Sequence, residues 1–202
     1  MSGDHVAVVL AAGGSSRLGR PKQLLTRDGE TLVHRAVRLA SETSPSRLLV
    51  VVGASADAVV PELDGADCEV VFNAQWREGL ASSLQAATRL LLAFDGPLLV
   101  LGCDQPALEL RHLEALLDGA KAVPSGISAS GYGHVQGVPA VVPCTWIRHR
   151  EPRGDRGLGH LLRALPVGAL AMIDAPALGF DIDTPQDATD AVARGWLDAF
   201  EW

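Results

Sequence analysis

The sequence predicts an α/β fold with a doubly wound, mainly parallel sheet, and three observations carry this prediction. Short apolar runs rich in β-branched residues alternate with amphipathic patterns, as in successive βαβ units. The polar motifs follow strand-like runs, where the carboxyl ends of parallel strands form ligand sites. With 202 residues, 48% hydrophobic and 20% charged, the chain has a globular balance, and we predict one domain over residues 1–202.

The elements follow from these periodicities. Seven runs are predicted as strands: Val6–Leu10, Leu48–Val52, Glu69–Phe72, Leu98–Leu101, Ile127–Ser130, Val138–Val142 and Ala171–Ile173. Six segments are predicted as helices: Thr31–Ser41, Ala56–Leu63, Ala81–Phe94, Leu108–Ala120, Gly159–Leu165 and Gln186–Ala199. Residues 125–156 are richer in Gly and Pro, so we expect a small antiparallel or lid-like subregion there.

The loop after the first strand is the strongest functional signal. Its small residues let the backbone curl around a polyanion and aim N–H groups at it. Arg17 and Lys22 add two positive charges beside it. We therefore predict a phosphate-binding loop for a nucleotide, formed by Leu10, Ala11, Ala12, Gly13, Gly14, Ser15 and Ser16. The alternative is an ordinary turn after a first strand.

Two common phosphate motifs do not fit this loop. Gly14 and Gly19 have the Walker spacing, but Arg20 and Pro21 follow, and a proline cannot donate the N–H that the motif needs. The dinucleotide fingerprint G-x-G-x-x-G is also missing from the loop. A different class of phosphate site is therefore expected.

Two aspartates that follow strand-like or extended segments are candidate metal ligands. Asp104 ends the buried run that begins at Pro97, and Asp183 lies in the segment Phe180–Asp187. Mg²⁺ binds one or two carboxylates together with phosphate oxygens and water. We therefore predict Mg²⁺ on Asp104 and Asp183, with the cationic loop close by.

The remaining polar residues of the second segment are assigned to a helix start. Thr184 is expected to cap the helix with Pro185 at its first position. Asp181 is interpreted as a further cap, and Asp187 as a first-turn partner of the helix dipole.

At this point the residues resemble a family. The stretch Leu10–Leu25 is similar to the signature of the nucleotidyltransferases of the molybdenum-cofactor type, which belong to the sugar-nucleotide and cytidylyltransferase superfamily. Segments similar to Gly102–Pro106 and Asp181–Asp187 recur in that family in the same order. The resemblance implies a Rossmann-like nucleotide-diphospho-sugar transferase fold and transfer of a nucleoside monophosphate from a triphosphate to a phosphorylated acceptor, with release of pyrophosphate.

The segment Asn73–Ser83 is similar to a further segment of the family, which in that family lies over the nucleoside. It implies nucleotide binding by Asn73, Ser82 and Ser83. The two serines stand near a helix start, so they are equally suited to capping it. Trp76 is interpreted as a packing residue rather than a base-stacking one.

Two further segments bear on binding of the acceptor. Gly137 and Pro139, and Asp155 and Arg156, match family elements by the acceptor. Family members often continue the latter with Ala-Arg, whereas this chain has Leu158-Gly159, so a phosphate contact there is expected from Arg153 or Arg156. This departure leaves the acceptor open.

The resemblance implies roles for the charged residues. Arg17, Lys22 and Asp104 are the predicted catalytic residues: the cations neutralise the leaving pyrophosphate, and Asp104 shares Mg²⁺ with Asp183. Leu-Ala-Ala-Gly at 10–13 and Cys-Asp-Gln-Pro at 103–106 resemble the cytidylyl branch, which favours CTP and molybdopterin–molybdenum as acceptor. A guanylyltransferase, a sugar- or alcohol-phosphate nucleotidyltransferase, and a non-catalytic nucleotide-binding chaperone that docks on a molybdoenzyme or its maturation factor are the alternatives.

Bulk properties exclude other classes of partner. A net charge of −7 disfavours a nucleic-acid binder that works through a broad basic face. Cys68, Cys103 and Cys144 are scattered without metal-site spacing, so they are expected to be reduced thiols. With no apolar run long enough to cross a bilayer, no membrane partner and a cytoplasmic location are expected.

Overall fold

A computed structural model describes residues 4–133, 135–150 and 157–201. Its strands are β1 (Val6–Ala11), β2 (Thr26–Arg27), β3 (Glu30–Thr31), β4 (Arg47–Val52), β5 (Glu69–Phe72), β6 (Pro97–Gly102), β7 (Ser128–Tyr132), β8 (Val135–Pro143) and β9 (Ala171–Asp174). Its α-helices are α1 (Leu32–Glu42), α2 (Ala56–Val59), α3 (Leu80–Arg89), α4 (Leu110–Ala122), α5 (Cys144–Arg150), α6 (Leu158–Arg163) and α7 (Pro185–Ala193). Short 3₁₀ helices occupy Lys22–Leu24, Val60–Leu63, Trp76–Glu78 and Pro176–Gly179.

The central sheet has seven strands in the order β5-β4-β1-β6-β8-β7-β9. Strand β1 pairs in parallel with β4 and β6, and β8 runs antiparallel to its neighbours β6 and β7. The short β2–β3 hairpin stands apart from this sheet. The predicted α/β class with a mainly parallel sheet is therefore confirmed.

Alternate residues of the central strands feed two apolar cores, one on each face of the sheet. In β1, Ala7 and Val9 pack in the core that contains α1 and α4 residues, whereas Val6 and Val8 pack in the core that contains α3 and α6 residues. Because both faces are covered, the strand is apolar throughout rather than alternating. This burial explains why the sequence shows continuous apolar runs.

A third, smaller apolar cluster joins the two ends of the chain beside the sheet. Leu18 and Leu25, which flank the predicted cations, pack with Ile182 and with Ala188 of α7. The cluster is buried even though none of its members lies in the central sheet. It fixes the segment around Lys22 against the segment that carries Asp183.

Two helices are shorter than the periodicity predicts. Helix α7 ends at Ala193 rather than Ala199, because Gly195 takes a positive φ of 67° and Trp196 N–H bonds back to the Ala191 carbonyl. Helix α3 ends at Arg89 rather than Phe94, and the following residues form turns with i to i+3 hydrogen bonds. Apolar spacing alone does not separate such turns from a helix.

Other differences concern elements that the pattern conceals. The predicted helix over 56–63 divides into α2 and a 3₁₀ helix at Pro61, which lacks the N–H for an α-helical bond. The β2–β3 hairpin and α5 were not predicted. Strands β7 and β8 of the expected 125–156 subregion belong to the central sheet rather than to a lid, and residues 151–156 lie outside the described chain.

In the described ranges, no helix combines the length and the apolar character needed to cross a membrane.

Candidate active site

Four charged side chains from three distant parts of the sequence meet at the carboxyl end of the sheet. Lys22 Nζ donates to Asp104 Oδ2 at 2.7 Å and to Asp183 Oδ1 at 3.1 Å. Arg17 Nη2 donates to Asp183 Oδ2 at 2.8 Å. The structure thus brings together the cationic loop and both aspartates that the sequence singled out.

The fold explains why these segments converge. Strands β1 and β6 are parallel neighbours, so the loop after β1 and Asp104 after β6 emerge at the same edge. The N–H of Ile182 donates to the Asp104 carbonyl at 3.1 Å and ties the Asp183 segment to the end of β6. The third apolar cluster holds the same segment from its other side.

The Lys22 ammonium is held in the charged state. Its side chain is only 14% exposed, and burial alone would lower its pKa. The attraction of Asp104 and Asp183, together with their hydrogen bonds, outweighs burial and raises the pKa of Lys22 above its usual range. Lys22 therefore carries a full positive charge at neutral pH.

The loop between β1 and Lys22 has a defined shape. Ser15 has a positive φ of 47°, and its carbonyl accepts hydrogen bonds from the N–H groups of Leu18 and Gly19. Its hydroxyl accepts from the Lys22 N–H at 3.1 Å. These bonds fold the chain back so that Lys22 returns towards the sheet.

Gln23 is a structural residue of this loop that the sequence analysis missed. Its side chain is 1% exposed, and Nε2 donates to the carbonyls of Ala11 and Gly13, each at 2.8 Å. The only feature of the sequence that could have indicated this role is a polar amide residue between the charged Lys22 and the apolar Leu24. These two hydrogen bonds hold the backbone of Ala11 and Gly13 in place at the start of the loop.

A first cavity of about 360 Å³ opens over the loop. Its walls combine loop backbone, one face of the α3 start and the charged pair Lys22–Asp104. They are formed by Leu10, Ala11, Ala12, Gly13, Gly14, Lys22, Gln23, Trp76, Arg77, Gly79, Leu80, Ser83, Cys103 and Asp104. Most of the predicted nucleotide residues thus line one space. Those that are not part of its walls are Ser15, Ser16, Arg17, Asn73 and Ser82.

Trp76 both packs and lines this cavity. A Cβ added at Gly14 would lie 2.9 Å from Trp76 Cζ3, so the ring rests directly on the loop backbone. Gly53 is equally constrained, because a Cβ there would lie 2.8 Å from Trp76 Cβ and 2.8 Å from the Ala12 carbonyl oxygen. Arg77 covers the ring at 4.3 Å from its centroid. The interpretation as a packing residue therefore describes only part of its position.

Asn73 belongs to the scaffold behind the cavity. Its buried side chain donates to the hydroxyls of Ser82 and Ser83 at 2.8 and 3.0 Å and accepts from the Gln75 N–H at 2.9 Å. The Ser82 hydroxyl lies within hydrogen-bond distance of the Gln75 and Gly79 carbonyls and can donate its single hydrogen to either. Neither serine caps α3, whose N-cap is Gly79 without a side-chain bond, so the capping interpretation was wrong. Ser83 alone of these three lines the cavity.

A second cavity of about 370 Å³ lies on the other side of Asp104. It shares Leu10, Leu80 and Asp104 with the first cavity. The rest of its wall comes from the end of β6, from β7, β8 and α6, and from the Asp181 segment: Gly102, Gln105, Tyr132, Val135, Gln136, Gly137, Val138, Gly157, Gly159, His160, Arg163 and Asp181.

The structure places the predicted acceptor residues in different environments. Gly137 lines the second cavity and packs on Tyr132, whereas Pro139 is buried and is not part of the wall. Asp155 and Arg156 lie outside the described residues. Tyr132, His160 and Arg163 were not singled out by the sequence, because their segments carry no motif.

Asp181 does not cap α7. Thr184 is the N-cap, and Asp187 completes a capping box with it, as the sequence predicted for the helix start. Asp181 is exposed and lines the second cavity instead, where desolvation and then the nearby Asp104 charge raise its pKa to about 7. The earlier interpretation of Asp181 is therefore corrected.

Cys103, next to Asp104, is a core residue. It is 6% exposed, and burial followed by the Asp104 charge raises the pKa of its thiol to about 12. A thiolate nucleophile is therefore not available at neutral pH.

The pair Asp104 and Asp183 suits a divalent cation. Both carboxylates contact one nitrogen, Lys22 Nζ, so they face a common point. Among the described residues no group of three or more acidic, His or Cys side chains forms a metal site. Mg²⁺ accepts such a two-carboxylate site because substrate phosphates and water complete its octahedral shell.

Comparison with solved structures places this fold. A nucleotidyl transferase from Methanothermobacter superposes with a TM-score of 0.78 at 25% identity, over 95% of this chain and 97% of that one. Rv0371c from Mycobacterium tuberculosis superposes with a TM-score of 0.76 at 26% identity, over 94% and 97% of the two chains. Its manganese complex superposes with a TM-score of 0.71 at 25% identity, over 96% of this chain and 100% of that one.

Curated relatives match a shorter stretch. The bifunctional protein GlmU of Corynebacterium diphtheriae is 30% identical over 152 residues, which cover 67% of this chain and 31% of the relative. This chain therefore corresponds to about a third of that relative's length. Residues 7–169 match the model of the MobA-like NTP transferase domain. The chain belongs to the MobA-like NTP transferase family.

Proposed function

We propose that this protein joins a nucleoside monophosphate, from CTP, to a phosphorylated acceptor of the molybdopterin type and releases pyrophosphate. The observation that carries the proposal is the position of Asp104. It is bound to Lys22 and borders both cavities, so two ligands can meet beside one charged cluster.

The first cavity suits the triphosphate. Gly13 and Gly14 are exposed, and their backbone N–H groups donate to no other described residue, so they are available to phosphate oxygens. Lys22 adds a buried positive charge at the end of the loop, and Arg17 adds an exposed one. These two cations neutralise the charge that accumulates on the leaving pyrophosphate.

Asp104 and Asp183 are the residues that would hold Mg²⁺. The ion supplies Lewis acidity to the phosphate that is attacked. The protein's own contribution is to hold both carboxylates rigidly: Asp104 through β6, and Asp183 through the capping box, in which Asp187 Oδ2 accepts the N–H of Asp183 at 3.1 Å. Such positioning accounts for much of the catalysis of phosphoryl-type transfers.

The second cavity suits the acceptor. An acceptor phosphate is already ionised near neutral pH, so it can attack without an activated serine or cysteine. This agrees with the buried, protonated state of Cys103. The nucleophile and the α-phosphate would approach each other where the cavities share Leu10, Leu80 and Asp104.

The base preference rests on the residues around Ala12. Ala12 lines the first cavity while it packs closely on Gly53, so the wall is firm at this point. A methyl here reduces the room beside the base, which favours a pyrimidine. The likeness of residues 10–13 and 103–106 to the cytidylyl branch supports the same assignment.

A sugar-phosphate acceptor is the second candidate. The GlmU relatives favour it, since they point to a sugar-phosphate nucleotidyltransferase. The two candidates share the chemistry of the first cavity and differ only in what the second one accepts.

Pyrophosphate release tests the proposal directly. The protein is incubated with Mg²⁺ and each of CTP, GTP, ATP and UTP, in combination with molybdopterin, glucose 1-phosphate or 2-C-methyl-D-erythritol 4-phosphate. We expect the highest rate with CTP and molybdopterin. A higher rate with GTP would replace CTP in the proposal, and a higher rate with a sugar phosphate would replace molybdopterin as the acceptor. No pyrophosphate release with any combination would overturn nucleotidyl transfer itself.

A further inference from the structure

The wall of the second cavity contains charges of both signs. Asp104 and Asp181 contribute carboxylates to one part of its wall. His160 and Arg163, three residues apart on α6, contribute an imidazole and a guanidinium to another part. Residues three apart lie on the same face of a helix, so the His160 and Arg163 side chains line the cavity together.

Arg163 is not neutralised by a carboxylate among the described residues. Its Nη1 donates to the Gln136 carbonyl at 3.3 Å, which uses one of five N–H donors. By contrast, Arg38, Arg47 and Arg148 all bind carboxylates at 2.9 Å or less. Arg163 therefore keeps most of its hydrogen-bonding capacity for a ligand.

Gly159 makes this position possible. A Cβ at residue 159 would lie 3.2 Å from Arg163 Nη1, so the guanidinium occupies space that a larger residue would fill. The same Cβ would lie 3.9 Å from Gly137 Cα in β8. The guanidinium thus lies between α6 and β8, at the wall of the cavity.

An anionic acceptor needs a counter-charge in this space. It enters a cavity that contains two carboxylates, which repel it when ionised. Neither Lys22 nor Arg17 lines the second cavity, and both are assigned above to the triphosphate. Of the described residues, Arg163 supplies the permanent positive charge on the wall of the second cavity.

We propose that Arg163, assisted by a hydrogen bond from His160, binds the phosphate of the acceptor and selects acceptors that carry a phosphate monoester. The guanidinium presents paired N–H groups that match two phosphate oxygens. This assignment rests on the proposed function, because it takes the second cavity as the acceptor site.

Steady-state kinetics test the assignment, with the acceptor from the panel above that gives the highest wild-type rate. Arg163→Ala is expected to raise the acceptor KM about 10- to 100-fold, the size expected for a lost hydrogen bond to a charged group. The KM for the nucleotide is expected to stay unchanged. Arg163→Lys keeps the charge without the paired donors and is expected to recover only part of the loss.

Two further variants sharpen the result. Gly159→Ala is expected to displace the guanidinium and to raise the acceptor KM less than Arg163→Ala does. Arg150→Ala, whose guanidinium lies over Trp146 on α5, removes the same charge away from both cavities and is expected to change neither KM. Thermal melting of each variant checks that the fold is intact.

The outcomes separate this inference from the function on which it rests. An active wild type whose acceptor KM is unaltered by Arg163→Ala overturns the role of Arg163 and leaves nucleotidyl transfer standing. An equal rise in both KM values also overturns it, because the residue would then act on the whole site. A wild type that releases no pyrophosphate overturns both proposals together.

Discussion

The two cavities on either side of Asp104 are nearly equal in volume, at about 360 and 370 Å³, but they are built differently. Half of the residues that line the first cavity belong to the loop after β1 (residues 10–14 with Lys22 and Gln23), which internal hydrogen bonds fix. The second is assembled from β6, β8, α6 and the segment before α7. A phosphate loop is a local structure, whereas an acceptor site of this kind depends on how distant strands pair.

The largest expected effect concerns the charged cluster that serves both cavities. Lys22→Ala leaves Asp104 and Asp183 without their shared ammonium, and Asp104→Asn removes a predicted metal ligand. We expect each to lower kcat/KM for pyrophosphate release by about 10²- to 10³-fold, the size typical of lost electrostatic stabilisation in a transition state.

A matched control for these variants lies on α4. Lys121→Ala breaks an exposed pair with Asp118 at 3.6 Å. Because neither residue lines a cavity, the variant is expected to leave kcat/KM unchanged. A Lys22→Ala or Asp104→Asn variant that turns over at the same rate as Lys121→Ala would contradict the assigned roles.

A smaller effect is expected at the loop of the first cavity. A Cβ at Gly13 meets no protein atom within 4 Å, so Gly13→Ala leaves the fold intact. If the triphosphate lies against this backbone, the added methyl obstructs it, and we expect KM for the nucleotide to rise about tenfold, as for an obstructed hydrogen bond to a charged group. Steady-state kinetics with the nucleotide varied, and a melting curve, measure the two consequences. An unchanged nucleotide KM would show that the phosphates do not follow the loop.

The same contrast explains what the sequence could predict. The convergence of the loop after β1, Lys22 and both aspartates could be predicted from the sequence because each follows a strand or lies in a motif, and parallel strands end at one edge. Asp181 was misassigned because an aspartate near a helix start has the composition of a cap, and only the position of β6 shows that it faces a cavity. Arg163 lies in no motif. Its place in the cavity wall depends on β8, which runs antiparallel to β6 and contacts α6.

The fold shows the same division between local and long-range information. All seven predicted strands are present. Burial on both faces makes the central strands β1, β4 and β6 apolar throughout and easily recognised. The ends of α3 and α7 were wrong because turns and a glycine cap stop them without a break in apolar spacing. The short β2–β3 hairpin was missed because two residues per strand give no periodicity.

A prediction on stability concerns the start of α7, directly after Asp183. Thr184→Ala removes the hydroxyl that accepts the Asp187 N–H and donates to its carboxylate. We expect it to lower the free energy of unfolding by about 1 kcal/mol, as for other lost caps. Thr184→Ser retains the hydroxyl and is expected to lose much less in chemical denaturation. Equal losses in the two variants would exclude the cap as the cause.

The smallest expected effect lies behind the second cavity. Burial lowers the pKa of His112, whose Nε2 contacts Ser130 Oγ at 2.7 Å, and Ser130 donates to the Pro139 carbonyl in β8. Because the unfolded chain binds the proton more readily, stability is complete above the unfolded pKa of 6.5 and falls as the pH drops below it. Melting temperatures between pH 7.5 and 5 are expected to fall less in His112→Gln than in the wild type. Parallel curves would contradict this.

The central claim is that a divalent ion and a triphosphate meet at the charged cluster between the two cavities. Anomalous diffraction from a crystal grown with Mn²⁺ and a non-hydrolysable CTP analogue measures this directly. We expect one manganese peak about 2.1 Å from oxygens of both Asp104 and Asp183, with the phosphates along residues 12–16. A peak remote from either carboxylate, or a nucleotide bound outside the first cavity, would contradict the account.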